Sequence, residues 1–380
     1  MGPLLPIFLT VLVDVLALTI VQPLLPFYAQ ELGASKLMVG ILFASFSVCQ
    51  LFAGPLLGGL SDRLGRKPVL LASQLGTFLG LLMFAFANRI EWLFAGRILD
   101  GLTAGNLSIA QAYIADVTAP ERRTRAFGLI GIAFGLGFLI GPAFAGIVAA
   151  RYGNQAPFLL AAGLSLTSVV LTATLLPRTP PTAVVTERGL SALRRVATQP
   201  AARGRLLEYF VYVFAFTMMT GGLALYLADR LGFDKAKVGW AFAYSGLVGV
   251  VMQGGLGRLA SRMGEARLSA AGIFVMSIGF AILSQATTLP LLGVALTVGG
   301  AGSAVVRPAL TTLITASVGE QDRGVVLGAS QSLSSLATAL GPAVSGLFMQ
   351  SRLHSAWALT MAAAALATLV VRWLFGRSRV

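Results

Sequence analysis

Two long apolar segments of this chain are joined by the run Gly58-Gly-Leu-Ser-Asp-Arg-Leu-Gly-Arg-Lys67. Four of these residues are charged, and charged side chains neither enter hydrocarbon cheaply nor belong in an apolar core. The run therefore predicts a tight, structured turn at a membrane surface, where Gly58 and Gly65 supply backbone freedom. A fainter copy follows 199 positions later as Gly257-Arg-Leu-Ala-Ser-Arg-Met-Gly264, which indicates that the chain arose by duplication.

The composition is that of a chain dissolved mostly in lipid. Of its 380 residues, 56% are hydrophobic and 11% are charged, and the mean hydropathy is +0.83. A soluble protein carries about 25% charged residues. Each helical crossing of a bilayer core ~30 Å thick needs about 20 apolar residues. We therefore expect an all-α polytopic membrane protein with twelve transmembrane helices, at about 4–30, 37–60, 68–87, 92–115, 125–150, 156–176, 206–230, 237–259, 267–285, 289–315, 325–350 and 355–375.

The positive charges are distributed unevenly over the predicted loops. Nineteen of the 28 Lys and Arg residues lie on the side of the membrane that carries Arg63, seven lie on the other side, and Arg97 and Arg307 lie inside spans. This positive-inside pattern predicts a multi-pass protein of the cell inner (plasma) membrane with both termini in the cytoplasm. The net charge of +14 then reflects topology and contact with membrane lipids, so we expect no nucleic-acid partner.

The chain has a single cysteine, Cys49, and a single histidine, His354. A lone cysteine forms neither a disulfide framework nor a thiolate metal site. His354 lies at the outer end of the last span, where we interpret it as an interfacial residue. The sequence therefore predicts no metal site, no cofactor and no catalytic residues, which argues against an enzyme.

One long polar connection, residues 177–205, divides the chain. It predicts an N-terminal six-helix bundle at 1–176, a cytoplasmic linker at 177–205 and a C-terminal six-helix bundle at 206–380. The two halves correspond at a lag close to 200, since Gly141-Pro142 matches Gly341-Pro342. A repeat of this size is typical of transporters whose halves rock about a central site.

The charged run resembles the loop between helices 2 and 3 of the major facilitator superfamily, and the resemblance covers essentially the whole chain. It implies two pseudo-symmetric six-helix bundles around a midplane cavity, alternating access and a monomer. Asp62 could latch the inner ends of the halves through Arg323, while Asp116 could meet Arg66. A solvated basic loop is the alternative. The predicted cytoplasmic gate comprises Gly58, Asp62, Arg63, Gly65, Arg66, Lys67, Asp116 and Arg323.

The fifth span is rich in glycine. Small residues four apart let another helix approach closely, and a proline adds a kink. The stretch looks like the proton-coupled exporter motif of the superfamily, which implies packing of the fifth helix against the eighth and favours export. Gly246 and Gly249 would offer the matching surface. The motif residues are Gly131, Gly135, Gly137, Gly141, Pro142 and Gly146.

Asp14 and Asp100 are the acidic residues that lie well inside predicted spans. Asp14 is about 15 Å deep at 1.5 Å per residue, where an ionised carboxylate costs several kcal/mol unless it is hydrated or paired. Arg97 and Asp100 are three residues apart and can pair on one helix face. We predict that both acids carry protons and that Arg97 modulates them. A permanent ion pair that fixes helix packing is the alternative.

Two further segments, Ala112-Tyr-Ile-Ala-Asp-Val-Thr118 and Glu121-Arg-Arg123, resemble the tetracycline/proton antiporters, a drug/proton antiporter branch of the superfamily. Asp14 with Pro23 and Pro26 strengthens this resemblance. The second half departs from that branch, because Ser261 stands where the first half has Asp62, and the eighth and ninth spans contain neither histidine nor an acidic residue. Tetracycline itself is therefore not implied as the substrate.

In the superfamily, helices 1, 4, 7 and 10 line the cavity. Arg307 in the tenth span could meet an anionic substrate group or Asp14, or it could snorkel toward the cytoplasmic surface. A stripe of three residues on the seventh span could bind a flat amphipathic molecule, or it could be ordinary packing. The predicted substrate cavity comprises Gln22, Asn106, Gln111, Tyr212, Phe216, Met219 and Arg307.

The sequence thus predicts a transporter that uses protons as the coupling ion and exports a small-molecule substrate of amphipathic character, as in multidrug or tetracycline-like efflux. An importer or uniporter of a small metabolite and a flippase of lipids or lipid-linked molecules are alternatives. A membrane receptor that does not transport is a third, and it would require an added soluble domain, which the short loops do not provide.

Overall fold

The computed structural model describes residues 4–118, 123–177, 198–319 and 322–376, and the regular elements in those ranges are all helices. This confirms the all-α prediction. Most of the predicted linker, residues 178–197, lies outside the described residues. In chain order the helices are α1 (Leu4–Glu31), α2 (Lys36–Leu64), α3 (Arg66–Ala85), α4 (Ile90–Leu102), α5 (Asn106–Val117), α6 (Arg123–Tyr152), α7 (Gln155–Leu175), α8 (Pro200–Leu231), α9 (Lys235–Met263), α10 (Glu265–Leu283), α11 (Leu289–Ala316), α12 (Arg323–Gln350) and α13 (His354–Gly376).

Ten of these helices are long and apolar enough to cross a membrane. The remaining three are α4, α5 and α9. Two of them, α4 and α5, share one predicted span between them, and α9 is 29 residues long but carries basic residues near both ends. The twelve predicted spans are therefore accounted for by thirteen helices within the described ranges.

The predicted continuous helix over 92–115 is wrong, because the chain breaks between α4 and α5. The break is stabilised by Ser73 of α3, whose hydroxyl donates to the carbonyl oxygen of Thr103 and accepts from the N–H of Gly105 at 2.8 Å. The hydroxyl of Thr103 in turn donates to the carbonyl of Leu99 at 2.8 Å. A buried break in a helix is stable when other groups satisfy its backbone. Here a side chain from a different helix does so.

The chain forms two compact units. Unit 1 is Met1–Val184 together with Gly232–Gly246, and unit 2 is Val185–Leu231 together with Leu247–Val380, as far as these ranges are described. Unit 1 holds α1–α7 and the first part of α9, while unit 2 holds the rest of α9 with α8 and α10–α13. The division into bundles at 177–205 stays a prediction.

Aromatic packing in one unit repeats in the other. In unit 1, the hydroxyl of Tyr28 donates to the carbonyl of Ala87 at 2.6 Å, and its ring stacks on Phe158 at 5.4 Å. In unit 2, the hydroxyl of Tyr226 reaches the carbonyl of Ala286 at 3.0 Å, and its ring stacks on Trp357 at 5.3 Å. The corresponding residues are 198 or 199 positions apart in sequence. The internal repeat inferred from the sequence is therefore present in three dimensions.

Close helix approaches repeat in the same way. Gly141 of α6 packs against Thr19 of α1, and Gly341 of α12 packs against Thr217 of α8. A Cβ atom at either glycine would clash with the threonine side chain, so both contacts require glycine.

Candidate functional site

The predicted surface turn is built around one glycine. Gly65 lies alone between the last residue of α2, Leu64, and the first residue of α3, Arg66, with a φ of +89°. Side chains disfavour this left-handed region, so glycine is the residue of choice here. Gly264 occupies the same place between α9 and α10 with a φ of +73°, which confirms the second copy of the turn.

Arg66 is buried below this turn and holds two carboxylates. Its guanidinium lies 2.5 Å from Asp62 and 2.8 Å from Asp116, and it donates to the hydroxyl of Ser61 at 2.8 Å. The expected contact between Arg66 and Asp116 is therefore present, and a merely solvated loop is wrong for Arg66. Lys67 donates to the carbonyl of Ala173 at the end of α7, at 2.8 Å.

Other members of the predicted gate lie apart from this ion-pair cluster. Arg63 is exposed, and Gly58 has open space around its Cα. Arg323 is the first residue of α12 and belongs to unit 2. Its pairing with Asp62 stays a prediction.

Asp14 lies at the meeting point of three helices. The side-chain nitrogen of Gln74, from α3, donates to Asp14 Oδ2 at 3.3 Å and to the hydroxyl of Ser168, from α7, at 2.7 Å. The other carboxylate oxygen, Oδ1, is buried and has no hydrogen-bond partner among the residues described. A buried carboxylate oxygen without a donor is the kind of exception that marks a functional group.

Asp100 has a different set of neighbours. It accepts a hydrogen bond from Thr77 of α3 at 2.8 Å, and Asn106 at the start of α5 approaches the same threonine at 3.5 Å. Its distance to Arg97 is 3.9 Å, which is too long for a hydrogen bond. Asp100 is therefore fixed by a neutral hydroxyl, with Arg97 as a looser electrostatic neighbour. The break between α4 and α5 places Asp100 and Asn106 beside Thr77.

Arg97 is buried against aromatic rings. Its guanidinium lies 4.7 Å from the ring centre of Phe46 and 5.3 Å from that of Phe43, both on α2. Cation–π contacts of this kind offset part of the cost of burying a charge. The charges of Asp14 and Asp100 act on each other, so Arg97, Asp100 and Asp14 form one electrostatic group in unit 1.

The glycine-rich span α6 has two contact faces. Gly137 and Gly141 pack on α1, against Val15 and Thr19, which the sequence did not predict. Gly146 lies against the first residues of α9, where a Cβ atom would be 2.6 Å from the carbonyl oxygen of Lys235. The two remaining glycines of the motif make neither contact: Gly131 is exposed and Gly135 is half-buried.

The predicted packing of α6 on α9 is present. Gly239 of α9 lies against the carbonyl of Pro142, and a Cβ atom at Gly246 would be 2.6 Å from the carbonyl oxygen of Phe138. The expectation for Gly249 is wrong, because no atom lies within 4 Å of a Cβ built there. Close packing therefore ends after Gly246.

In unit 2 the aromatic stripe lies on α8. Tyr212 is buried and donates from its hydroxyl to the carbonyl of Ser303 on α11 at 3.3 Å, and its ring stacks on Phe216 at 6.3 Å. Phe216 and Met219 are half-buried. Arg307 of α11 interacts with Tyr209 and Tyr212, and no carboxylate lies within ion-pair distance of it in the described ranges. Packing inside the bundle therefore explains Tyr212, whereas Arg307 is exposed.

Two of the predicted cavity residues lie outside these clusters. Gln22 is half-buried on α1, and Gln111 is exposed on α5. Their assignment to a substrate cavity stays a prediction.

A buried ion cluster in unit 2 was not predicted from the sequence. Glu208 lies near the end of a predicted span, yet it is fully buried and contacts Arg205 at 2.8 Å and also Arg372. Arg372 further donates to the carbonyl of Ala266 at 2.6 Å and to Ser269 at 2.7 Å. The three-residue spacing of Arg205 and Glu208 was a signal for part of this cluster.

A second polar cluster, at the far end of α1 from the surface turn, was also not predicted. Glu31, the last residue of α1, accepts hydrogen bonds from Lys235 at 2.6 Å and from Asn154.

The single histidine, His354, which we interpret from the sequence as an interfacial residue, lies 2.9 Å from Asp229 in unit 2. Within the described residues, no group of acidic, His or Cys side chains could hold a metal ion.

Comparison with known proteins places the chain among transporters. The sequence profile of the Major Facilitator Superfamily matches residues 7–227 and 205–380. The class C tetracycline resistance protein of Escherichia coli is 31% identical over 355 residues, covering 88% of this chain and 86% of that protein. Major facilitator superfamily domain-containing protein 10 of Mus musculus is 28% identical over 391 residues, covering 89% and 85%.

Solved structures of transporters are also similar to this chain. The crystal structure of the human organic anion transporter MFSD10 (TETRAN) is similar with a TM-score of 0.76 and 26% identity, covering 97% of this chain and 98% of that one. The nucleoside transporter NupG is similar with a TM-score of 0.78 and 17% identity, covering 99% of both, which is a likeness of fold.

Proposed function

This chain belongs to the Major Facilitator Superfamily, and we propose that it is a proton-coupled antiporter that exports small amphipathic compounds by alternating access. It is a multi-pass membrane transporter and not an enzyme. We place it in the cell inner membrane as a monomer with both termini in the cytoplasm, in contact with membrane lipids. Protons serve as the coupling ion, and no other cofactor takes part.

The observation that carries this proposal is that two carboxylates inside the spans accept hydrogen bonds from neutral side chains and that neither forms a short ion pair among the described residues. Asp14 is held by Gln74, and Asp100 is held by Thr77. A carboxylate locked in a short ion pair stays ionised, whereas one that is held by neutral groups can change its protonation state at moderate cost. Because the two negative charges repel each other, protonation of one acid makes it easier for the other to stay ionised, so the two titrations are coupled.

The packing of α6 on α9 supports the alternating movement. Backbone approaches at Gly146, Gly239 and Gly246 make a smooth surface on which helices can slide or separate as rigid bodies. The ion-pair cluster of Arg66, Asp62 and Asp116 would stabilise the state in which the cytoplasmic side is closed. Alternating access requires contacts of this kind that form in one state and break in the other.

The relatives suggest two classes of cargo. The tetracycline resistance proteins suggest tetracyclines, and human MFSD10, an organic anion transporter, suggests organic anions. Arg307 favours the second class, because a cation in a span with tyrosines and no carboxylate beside it in the described ranges attracts an anionic group. The half-buried side chains Phe216 and Met219 would bind the flat apolar part of such a molecule.

The test uses the purified protein in liposomes with an imposed pH gradient. The probes are tetracycline, p-aminohippurate and the primary amide of p-aminohippurate. We expect proton flux that depends on a transported probe and that is lost in Asp14→Asn and in Asp100→Asn, while Asp229→Asn, at the end of a span, retains it.

Transport that persists unchanged in both carboxylate variants would contradict proton coupling through these acids. A preference for p-aminohippurate over its amide that disappears in Arg307→Gln would support an anionic substrate that is bound by Arg307. Equal transport of p-aminohippurate and its amide would contradict recognition of an anionic group by Arg307. Inhibition by a lysolipid with no probe transported would favour a flippase.

A further inference from the structure

We propose that protons reach and leave Asp14 through the interior of the first six helices, along a ladder of buried hydroxyl groups made by Ser168, Thr10 and Thr172. We call these three residues the hydroxyl ladder. This inference rests on the proposed function, since it assigns the route by which the coupling proton travels. It separates that route from the path of the cargo.

The ladder starts at the Asp14 carboxylate. The side-chain nitrogen of Gln74 donates a hydrogen bond both to Ser168 and to Asp14. The hydroxyl of Ser168 also interacts with the Asp14 carboxylate. From Ser168 the hydroxyl reaches the carbonyl oxygen of Thr10 at 3.4 Å. The hydroxyl of Thr10 lies 3.4 Å from that of Thr172. All three hydroxyl residues are fully buried, so the ladder lies between α1, α3 and α7 and away from lipid.

The ladder leads toward the end of the bundle that carries the surface turn. Asp14 follows Thr10 by four residues on α1, and Thr172 follows Ser168 by four residues on α7, which is one helical turn, or about 6 Å, in each case. Thr172 is three residues from the last residue of α7, Leu175. Its neighbour Ala173 is exposed, and the Ala173 carbonyl binds Lys67. The buried route thus ends within the last turn of α7.

Hydroxyl groups suit this task because each can donate and accept a hydrogen bond at once. A proton can therefore enter at one side of the oxygen while another leaves on the other side. The separations of 3.4 Å exceed the ~2.7 Å of a strong O–H···O bond. The carbonyl oxygen of Thr10 accepts a hydrogen bond from Ser168 but has no proton to pass on. The ladder therefore conducts when a water molecule enters and bridges the hydroxyl of Ser168 to those of Thr10 and Thr172, so the movement of the bundle can gate conduction by admitting that water.

Three charged groups face this route. Asp100 repels a negative charge on Asp14, Arg97 neighbours Asp100, and the cation of Lys67 lies at the mouth. No side chain of the ladder itself titrates, so Asp14 is the group that stores the proton. The positive charge of Lys67 repels a proton held near Thr172, at the end of the ladder, and so favours its release to bulk water.

The second six helices have no such ladder at the corresponding positions. Glu208 and Arg372 stand where Thr10 and Thr172 stand, at lags of 198 and 200, and they form a buried ion pair. Thr368 corresponds to Ser168 and donates to the carbonyl of Ala365 in its own helix. A buried ion pair fixes charges in place and does not relay a proton. The repeat thus supplies matched control positions in the same molecule.

The first measurement follows Asp14 directly by infrared spectroscopy of the full-length protein in lipid. The carboxyl C=O band of Asp14 is identified by its loss in Asp14→Asn, and its rate of response to a pH jump is recorded. We expect Thr172→Val and Ser168→Ala to slow that response about tenfold or more. Thr172→Ser should restore the rate, and Thr368→Val should leave it unchanged. An unchanged rate in Thr172→Val would overturn the ladder.

The second measurement separates net transport from exchange in liposomes, with tetracycline and p-aminohippurate as probes. Transport driven by a pH gradient should fall in Thr172→Val, while exchange of probe at equal pH on both sides stays near wild type. Equal loss of both would mean a structural role and would contradict the ladder. A wild-type protein whose Asp14 responds through the ladder but whose transport moves no protons would contradict the proposed function alone.

Discussion

Gln74 donates a hydrogen bond to the Asp14 carboxylate across 3.3 Å, and the same nitrogen donates to Ser168 across 2.7 Å. This one side chain therefore sets the distance between the acid and its hydroxyl neighbour. Gln74 itself is fully buried. Its removal should disturb the acid more than the fold.

Gln74→Leu keeps the volume of the side chain but removes its donor. Leaving a buried polar group without its partner costs about 1–3 kcal/mol, and here the group is the carboxylate proposed to carry the proton. We expect proton-driven transport to fall about tenfold or more, with correct folding by size-exclusion chromatography. Gln50→Leu is the matched control, because Gln50 is a half-buried glutamine of α2 that belongs to none of the proposed sites. Equal loss in both variants would argue against a special role for Gln74.

Gly246→Ala adds one methyl group where α9 meets α6. The new Cβ atom would lie 2.6 Å from the carbonyl oxygen of Phe138, a backbone atom that cannot turn away. We expect the helices to be forced apart and transport to fall about tenfold or more, since overpacking of this kind costs about 1–3 kcal/mol. Gly249→Ala lies one turn further along the same helix, where a Cβ atom meets nothing within 4 Å. That variant should transport like the wild type, and similar losses in both would mean that close packing at Gly246 is not the cause.

Arg66→Gln removes the cation that holds Asp62 and Asp116. Each hydrogen bond to a charged group contributes about 1.5–3 kcal/mol, and solvent compensates part of the charge left on the two partly exposed carboxylates. We expect a lower thermal midpoint in detergent and reduced transport. Arg66→Lys should recover part of both, since a lysine keeps the charge but not the forked geometry. Arg63→Gln, at the exposed neighbouring arginine, should change neither. If Arg63→Gln is also destabilised, the loss of stability comes from the change in the net charge of the loop and not from the ion pairs of Arg66.

Local features of the fold could be predicted from the sequence, and so could two distant contacts, that of Arg66 with Asp116 and that of α6 with α9. Other contacts between distant residues could not. The turn at Gly65 follows from charge and glycine content alone. The break after α4 does not, because Ser73 satisfies the backbone at Thr103 from a different helix. Glu208 stands near the end of a predicted span and is nevertheless buried, where it contacts Arg372, which is 164 positions away. Periodicity and hydropathy contain no information on such partners.

The Glu208 cluster in turn yields a stability prediction that separates structure from transport. Glu208→Gln leaves the buried guanidinium of Arg372 without its carboxylate, so we expect destabilisation of about 3–5 kcal/mol, measured as a lower thermal midpoint in detergent. The double variant Glu208→Met with Arg372→Leu removes both charges and keeps the volume. Because an apolar replacement of a buried ion pair is often neutral or stabilising, this variant should recover most of the lost stability. If the double variant stays as unstable as Glu208→Gln, the hydrogen bonds of Arg372 to Ala266 and Ser269 hold α13 in place more strongly than the ion pair does.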